Sequence, residues 1–467
     1  MKFLKKTLLL ALCSLLVFSC KKDDDTTTTV VPVKTEEKDA AGRIILRGEI
    51  TQNKTLVATE KYILQGFVYV TSGFTLTIEP GTVVFGDNVA TAGTKGTLII
   101  EKGAKIIAEG TAARPIVFTS NQPKGSRNYG DWGGVVLIGK AKANQPAATK
   151  YEGGIRGEYG TDDVANDNSG VLKYVRIEFA GIALSTAANS ELNGLTMYGV
   201  GNGTKIEYVQ VSYSGDDSYE WFGGNVNCKY LVAHRGFDDD FDTDHGYSGR
   251  IQFAVSLRDK AFADQSRSNA FESDNDAAGS TLTPITSPIF ANISVYTNDG
   301  TPSTATGSGS GAYQSAMHLR RNTSISIFNT LIVGYPEGLR LDGVPAFTNA
   351  TSGGLDLRGI VLANCTLPFV GANTVTTQQT TDFFNEVVRT NSVVPFTELG
   401  TLSLNANVFN LTTPNFLLQA GSLLLSGANW TGKGADAFFE KVAYKGAFGT
   451  TDWTTGWTNF NPQNTDY

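Results

Sequence analysis

Thr75-Leu76-Thr77-Ile78, the turn Glu79-Pro80-Gly81 and Thr82-Val83-Val84-Phe85 form one block of this chain. Thr97-Leu98-Ile99-Ile100, Glu101-Lys102-Gly103-Ala104 and Lys105-Ile106-Ile107-Ala108 are a variant of it. Short β-branched runs between Gly- and Pro-containing turns read as strands. The two blocks lie about 22 residues apart, an interval that marks stacked coils, in which no unit buries its own apolar face but neighbours build one core.

The theme extends outward from there. Lys173-Tyr174-Val175-Arg176-Ile177 is echoed by Glu207-Tyr208-Val209-Gln210-Val211, Lys229-Tyr230-Leu231-Val232-Ala233 and Gln252-Phe253-Ala254-Val255-Ser256. Later echoes fall at 291–295, 325–329 and 357–361. No sustained helical periodicity interrupts residues 43 to about 364. Asn-Gly hairpin signals are too few for an antiparallel sandwich or propeller. The arrangement resembles right-handed parallel β-helix proteins, the fold of pectate lyases and polygalacturonases, so an all-β right-handed parallel β-helix is expected over 43–370. Irregular intervals, such as that from Phe253 to Ile293, imply long loops inserted on a binding face. Residues 371–467 read as last coils and an aromatic C-terminal cap over the open end, with short helices at 381–386 and 435–440.

Composition fits this reading. The 467 residues include 51 Gly, 41% hydrophobic and only 18% charged residues, which argues against disorder or a coiled coil. Three His and four Cys leave little for a zinc site or a disulfide framework, and whether Cys228 and Cys365 pair is open. Net charge is −7, and becomes −10 once Lys2, Lys5 and Lys6 leave with the leader. Such an acidic chain is unsuited to nucleic acid.

The leader itself is readable. Three lysines precede an apolar run from Leu8 to Phe18 that is too short to span a bilayer. Val17-Phe18-Ser19-Cys20 resembles a bacterial lipobox, which implies a signal peptide at 1–19 and a lipidated Cys20. Residues 20–42 read as a polar tether. Lys21-Lys22-Asp23-Asp24-Asp25 is similar to the signal that takes Bacteroidetes lipoproteins to the outer face of the outer membrane.

Chemistry is concentrated in an acidic segment. Asp216-Asp217 and Asp238-Asp239-Asp240 are separated by 22 positions, one coil, so equivalent carboxylates should be about 5 Å apart on neighbouring strands. Asp238, Asp240, Asp242 and Asp244 alternate, which sets them on one face of an extended segment as candidate calcium ligands. No EF-hand loop is present. Glu272, Asp274 and Asp276 are expected on the next coil. Three readings stay open: a structural Asp ladder in a structural or adhesive envelope protein without catalysis, calcium-assisted binding of an acidic polysaccharide, or catalysis by a polysaccharide lyase or glycoside hydrolase. In an enzyme, Asp216, Asp217, Asp239 and Asp240 would divide acid and base roles. Trp221, Arg235 and Arg250 are candidate glycan contacts; His234 and His245 flank the cluster.

Asp216-Asp217, Glu220-Trp221-Phe222-Gly223-Gly224, Asp239-Asp240, Asp242, Gly246-Tyr247-Ser248-Gly249 and Glu272-Ser273-Asp274-Asn275-Asp276, with Gly446-Ala447-Phe448-Gly449 and Gly456-Trp457-Thr458, resemble a group of Bacteroidetes cell-surface β-helix lipoproteins. The resemblance implies a β-helix and a surface location, and no particular reaction.

Overall fold

The computed structural model describes residues 36–90, 94–183, 191–301 and 311–467. The leader and Cys20 lie outside the described residues. The chain winds as a right-handed parallel β-helix in which each full coil gives one strand to each of three sheets. Thr75–Ile78, Val83–Gly86 and Thr97–Ile100 make one coil; Lys105–Glu109, Ile116–Ser120 and Gly134–Ile138 make the next. Their parallel register sets Leu76 on Ile106, Val84 on Phe118 and Leu98 on Val135. Alternate residues therefore enter the core, and the same apolar position recurs in every coil.

From the third of these coils the first two strands fuse into one bent strand. Gly170–Glu178, Lys205–Ser212, Asn227–His234, Arg250–Arg258 and Ile289–Thr297 each cross from the first sheet to the second. The bend is a single left-handed residue: Tyr174, Tyr208, Tyr230, Phe253 and Asn292, with φ from 50° to 61°. That conformation is uncommon for an aromatic residue. Stacking offsets its cost, because ring centroids along this corner are 4.5, 4.3 and 5.2 Å apart from Tyr174 to Phe253, and such pairs contribute roughly 0.5–1.5 kcal/mol each. The recurring aromatics thus mark a corner and point out of the core.

Three sequence expectations need correction, and one open question is answered. Residues 395–467 do not cap the open end; they run back as a strap along the outer face of the second sheet. Val232, Val255, Leu257, Tyr296 and Val333 present an apolar outer face there, and Phe448 and Trp457 bury against the same cluster. The strap reaches Glu178, which accepts hydrogen bonds from the Tyr467 hydroxyl at 2.6 Å. A helix at Val344–Ser352, opened by Pro345 and closed by Gly353, was not expected. Of the two expected helices, one forms at Thr377–Phe384. The other is only a 3-10 turn at Gly432–Ala435, after which the Asp436 carboxylate accepts from Phe438 N and turns the chain away. Cys228 and Cys365 are free thiols.

Trp457 is 1% exposed and meets Tyr174 and Tyr208 edge-on, 6.0 Å from each. Trp457→Ala should lower unfolding stability by about 3–5 kcal/mol, read as a shift of the urea midpoint.

Candidate functional site

The outer face of the third sheet carries the acidic segment. Tyr219–Gly224, Phe241–Asp244, Phe271–Ser273, Ser315–Arg320 and Glu337–Asp342 stack in this order. Tyr219, Trp221, Phe241 and Phe271 point inward and are fully buried. The intervening positions point outward, so register builds one row: Glu220, Asp242, Glu272, His318, Arg340. The turns that enter these strands add Asp216 and Asp217 from one coil and Asp238 and Asp239 from the next.

Seven carboxylates converge. Oxygens of Asp216, Asp217 and Asp238, of Asp217, Glu220 and Asp242, and of Asp239, Asp242 and Glu272 each lie within 4.8 Å of one another. Hydrogen bonds fix the geometry. Asp217 Oδ1 accepts from Asp239 N at 2.8 Å, across the one-coil interval. Asp239 accepts from Asn269 N, and Asn269 Nδ2 donates to Glu272 at 3.1 Å. Ser266 Oγ donates to Asp238 Oδ2 at 2.6 Å, and Asn193 Nδ2 donates to Glu220.

These bonds leave acceptors over. Asp238 Oδ1 and Asp242 Oδ1 are buried without a hydrogen-bond partner. Among the described residues no Lys or Arg forms an ion pair with Asp216, Asp217, Asp238, Asp239, Asp242 or Glu220; compensation begins only at Glu272 and Asp274, which Arg320 joins. Two like charges about 5 Å apart repel by about 3 kcal/mol at an effective dielectric of about 20. Burial first, and that repulsion second, hold Asp216, Asp238, Asp242 and Glu220 well above the ordinary carboxylate range. Asp217 and Asp239 are shifted the same way. Such a site must take up protons or a cation.

The structure separates the candidate ligands differently from the simple alternation. Only 241–244 are extended, so Asp242 and Asp244 face outward, while Asp238 sits in the preceding turn. Asp240 turns inward, fully buried, against Arg258 Nη1 at 3.2 Å and Ser256 Oγ at 2.5 Å. It belongs to a buried ion pair on the core side of the turn, so it is not one of the carboxylates that converge on the outer face. Asp244 is one step along the face from the converging set and meets His245 and the loop beyond it.

None of the three proposed glycan contacts lies free beside the carboxylates. Trp221 is a core residue stacked between Tyr219 and Tyr247, because its strand position points inward. Arg235 pairs with Asp259 at 2.5 Å and stacks on Tyr213. Arg250 pairs with Asp436 in the strap at 3.0 Å. His234 is buried beneath the strap, its Nε2 2.9 Å from the Leu411 carbonyl, and burial depresses it to about 3.

Glu220 and His318 are the residues the sequence reading did not single out. Glu220 and Asp242 show the same 22-residue interval as Asp216 and Asp238, which was a usable signal. His318 gave none, because 46 residues separate it from Glu272 although register sets the two side by side.

Above this face the loop 139–169 folds back, packing Tyr151, Ile155 and Tyr159 on Tyr198 and Phe222. Glu152 on this loop is raised to about 8 by burial and by the adjacent Glu191.

A family model described as a pectate-lyase like beta helix domain matches residues 48–398. No curated protein and no solved structure matches the chain.

A carboxyl whose folded pKa is raised binds more protons folded than unfolded between about pH 4 and the raised value, so stability falls as pH rises through that window. Calcium-free, chelator-treated protein should therefore gain thermal stability when acidified from pH 8 to pH 5. Excess divalent cation should flatten or reverse that slope; scanning calorimetry at four pH values reads both effects.

Proposed function

We propose that this chain, which belongs to the pectate-lyase-like β-helix family, binds an acidic polysaccharide on the outer face of its third sheet through a divalent cation. The observation that carries this reading is the set of seven converging carboxylates with buried, unpartnered oxygens at Asp238 and Asp242. Hard oxygen ligands without Cys or His favour calcium, which takes six to eight of them. Asp242 would hold it together with Asp217 and Glu220 on one side and with Asp239 and Glu272 on the other, and Asp216 and Asp238 adjoin the site at Asp217. A bound cation supplies the positive charge that lets protein carboxylates and a uronate carboxylate share one place. The protein residues fix its position through the bonds from Asp239 N, Asn269 and Ser266.

Binding fits better than elimination. A lyase needs an uncommitted Arg or Lys as base near the cation, and Arg235, Arg250 and Arg258 are all paired with Asp. Hydrolysis retains one supporting feature, the carboxyls of Asp216, Asp217 and Asp238 facing one another across adjacent coils. The leader supports a further part of the proposal: attachment through lipid on Cys20, at the cell surface. Fatty-acid labelling that survives Cys20→Ser would remove it.

Asp242→Asn takes one charge from the centre of the cluster without changing its shape. Calcium affinity by titration calorimetry should fall at least tenfold, and retention of a uronic-acid polysaccharide should fall with it, while the chelated variant melts no lower than the wild type. Calcium binding and retention that are unchanged in Asp242→Asn would refute the cation reading. Chain cleavage in the same assay, lost in Asp216→Asn or Asp239→Asn, would replace binding with catalysis.

A further inference from the structure

A second feature adjoins the carboxylate face. Between the loop 139–169, the loop after Asp276 and the third sheet lies a cavity of about 530 Å³, within the range of about 300–1,000 Å³ typical of small-ligand pockets. Tyr151, Tyr159, Tyr198, Phe222 and His245 wall it, and Leu282 stands at its edge. The walls are built rather than incidental. Tyr198 and Phe222 stack with centroids 4.7 Å apart and planes at 7°, and Tyr151 lies 4.7 Å from Tyr198. Tyr159 Oη is 2.6 Å from His245 Nδ1, and His245 Nε2 is 3.4 Å from Asp244.

The lining offers little for an ionic group. Its one lysine, Lys150, is already paired with Glu158 at 2.7 Å. Asp276 accepts from the backbone N of Ala278 and Ser280 at 2.9 and 3.1 Å. Glu152 is hydrogen-bonded to Glu191. A carboxylate or sulfate placed here would meet acids and no unpaired cation. The lining does offer aromatic rings, and it offers the linked hydroxyl and imidazole of Tyr159 and His245. Aromatic walls with a few convergent hydroxyl and imidazole groups suit a ring that carries hydroxyls at its rim and C–H bonds on its faces.

Position ties the cavity to the carboxylates. Phe222 is two residues beyond Glu220 on the same face of one strand, a rise of about 7 Å, and it pairs in register with Asp244, two residues beyond Asp242. Adjacent units of one saccharide chain can therefore occupy both places.

Resting on the cation-mediated reading above, we infer that the aromatic cavity is a subsite for an uncharged pyranose unit next to the cation-held uronate. The ligand class is thus a mixed polysaccharide, in which uronic acid alternates with a neutral sugar, rather than a homopolymer of uronic acid.

The test uses two tetrasaccharide probes, one of uronic acid alone and one alternating uronic acid with an uncharged hexose. Calorimetry in calcium and in chelator reads wild type, Leu282→Trp and Ala278→Trp. Leu282 is 44% exposed and Ala278 is exposed, so both bulky substitutions narrow the cavity from its solvent side without entering the core. The expected result is at least tenfold tighter binding of the alternating probe by wild type. Both variants should lose that preference while retaining wild-type calcium affinity and wild-type affinity for the all-uronate probe. Equal affinity for the two probes, or an alternating-probe affinity that neither variant changes, overturns the subsite. Calcium-dependent binding of the all-uronate probe alone overturns the subsite and keeps the cation reading. Binding of the alternating probe that the variants weaken but chelation leaves intact keeps the subsite and removes the cation reading; failure of both probes removes both.

Discussion

In-register stacking of parallel coils is the constraint on which the rest of this protein depends. A residue in one coil sits about 4.8 Å from its equivalent in the next, so any property repeated at the coil interval is summed along the axis. Repeated apolar positions become a continuous core. Repeated aromatics at a left-handed corner become a stack that stabilises the bend. Repeated carboxylates become a wall of like charge, which only protons or a cation can neutralise. One geometric rule thus produces both the apolar core and the wall of carboxylates without basic partners.

The three faces have different fates because their outward residues differ. On the second sheet the outward positions are apolar and the C-terminal strap covers them. On the third sheet, one end is closed by the aromatic loop 139–169 and the other is compensated by His318, Arg320 and Arg321. Between those ends Glu220 and Asp242 remain without basic partners. The carboxylate site is therefore the stretch of this face that burial covers without supplying a basic partner, and the aromatic cavity adjoins it under the loop.

Arginine placement distinguishes the two sides of the acidic turn. Arg258 runs into the core beneath the site, where its guanidinium meets Asp240, the backbone carbonyl of Asn269 and the turn carbonyls of Gly236 and Asp238. It braces the turn that presents Asp238 and Asp239, and its charge faces the core side of that turn. The carboxylates are thus held rigidly but left uncompensated, which is the condition for exchanging water and protons for a cation.

The sequence by itself determined the parallel β-helix, the coil interval, and the pairing of Asp217 with Asp239, since each follows from a period that residues display directly. Glu220 with Asp242 was equally legible at the same period. Tertiary structure alone decided which way each side chain points and what lies across from it. Asp240 and Asp242 look equivalent by alternation, yet the turn before Phe241 breaks the alternation and sends Asp240 to Arg258. Trp221 reads as a sugar platform until strand phase turns it inward. His318 reaches Glu272, Tyr159 reaches His245, and the strap reaches the second sheet across inserted loops whose lengths follow no period. Periodicity is local information and survives in the sequence; contacts closed by irregular loops depend on where the whole chain returns, and only the folded molecule contains that.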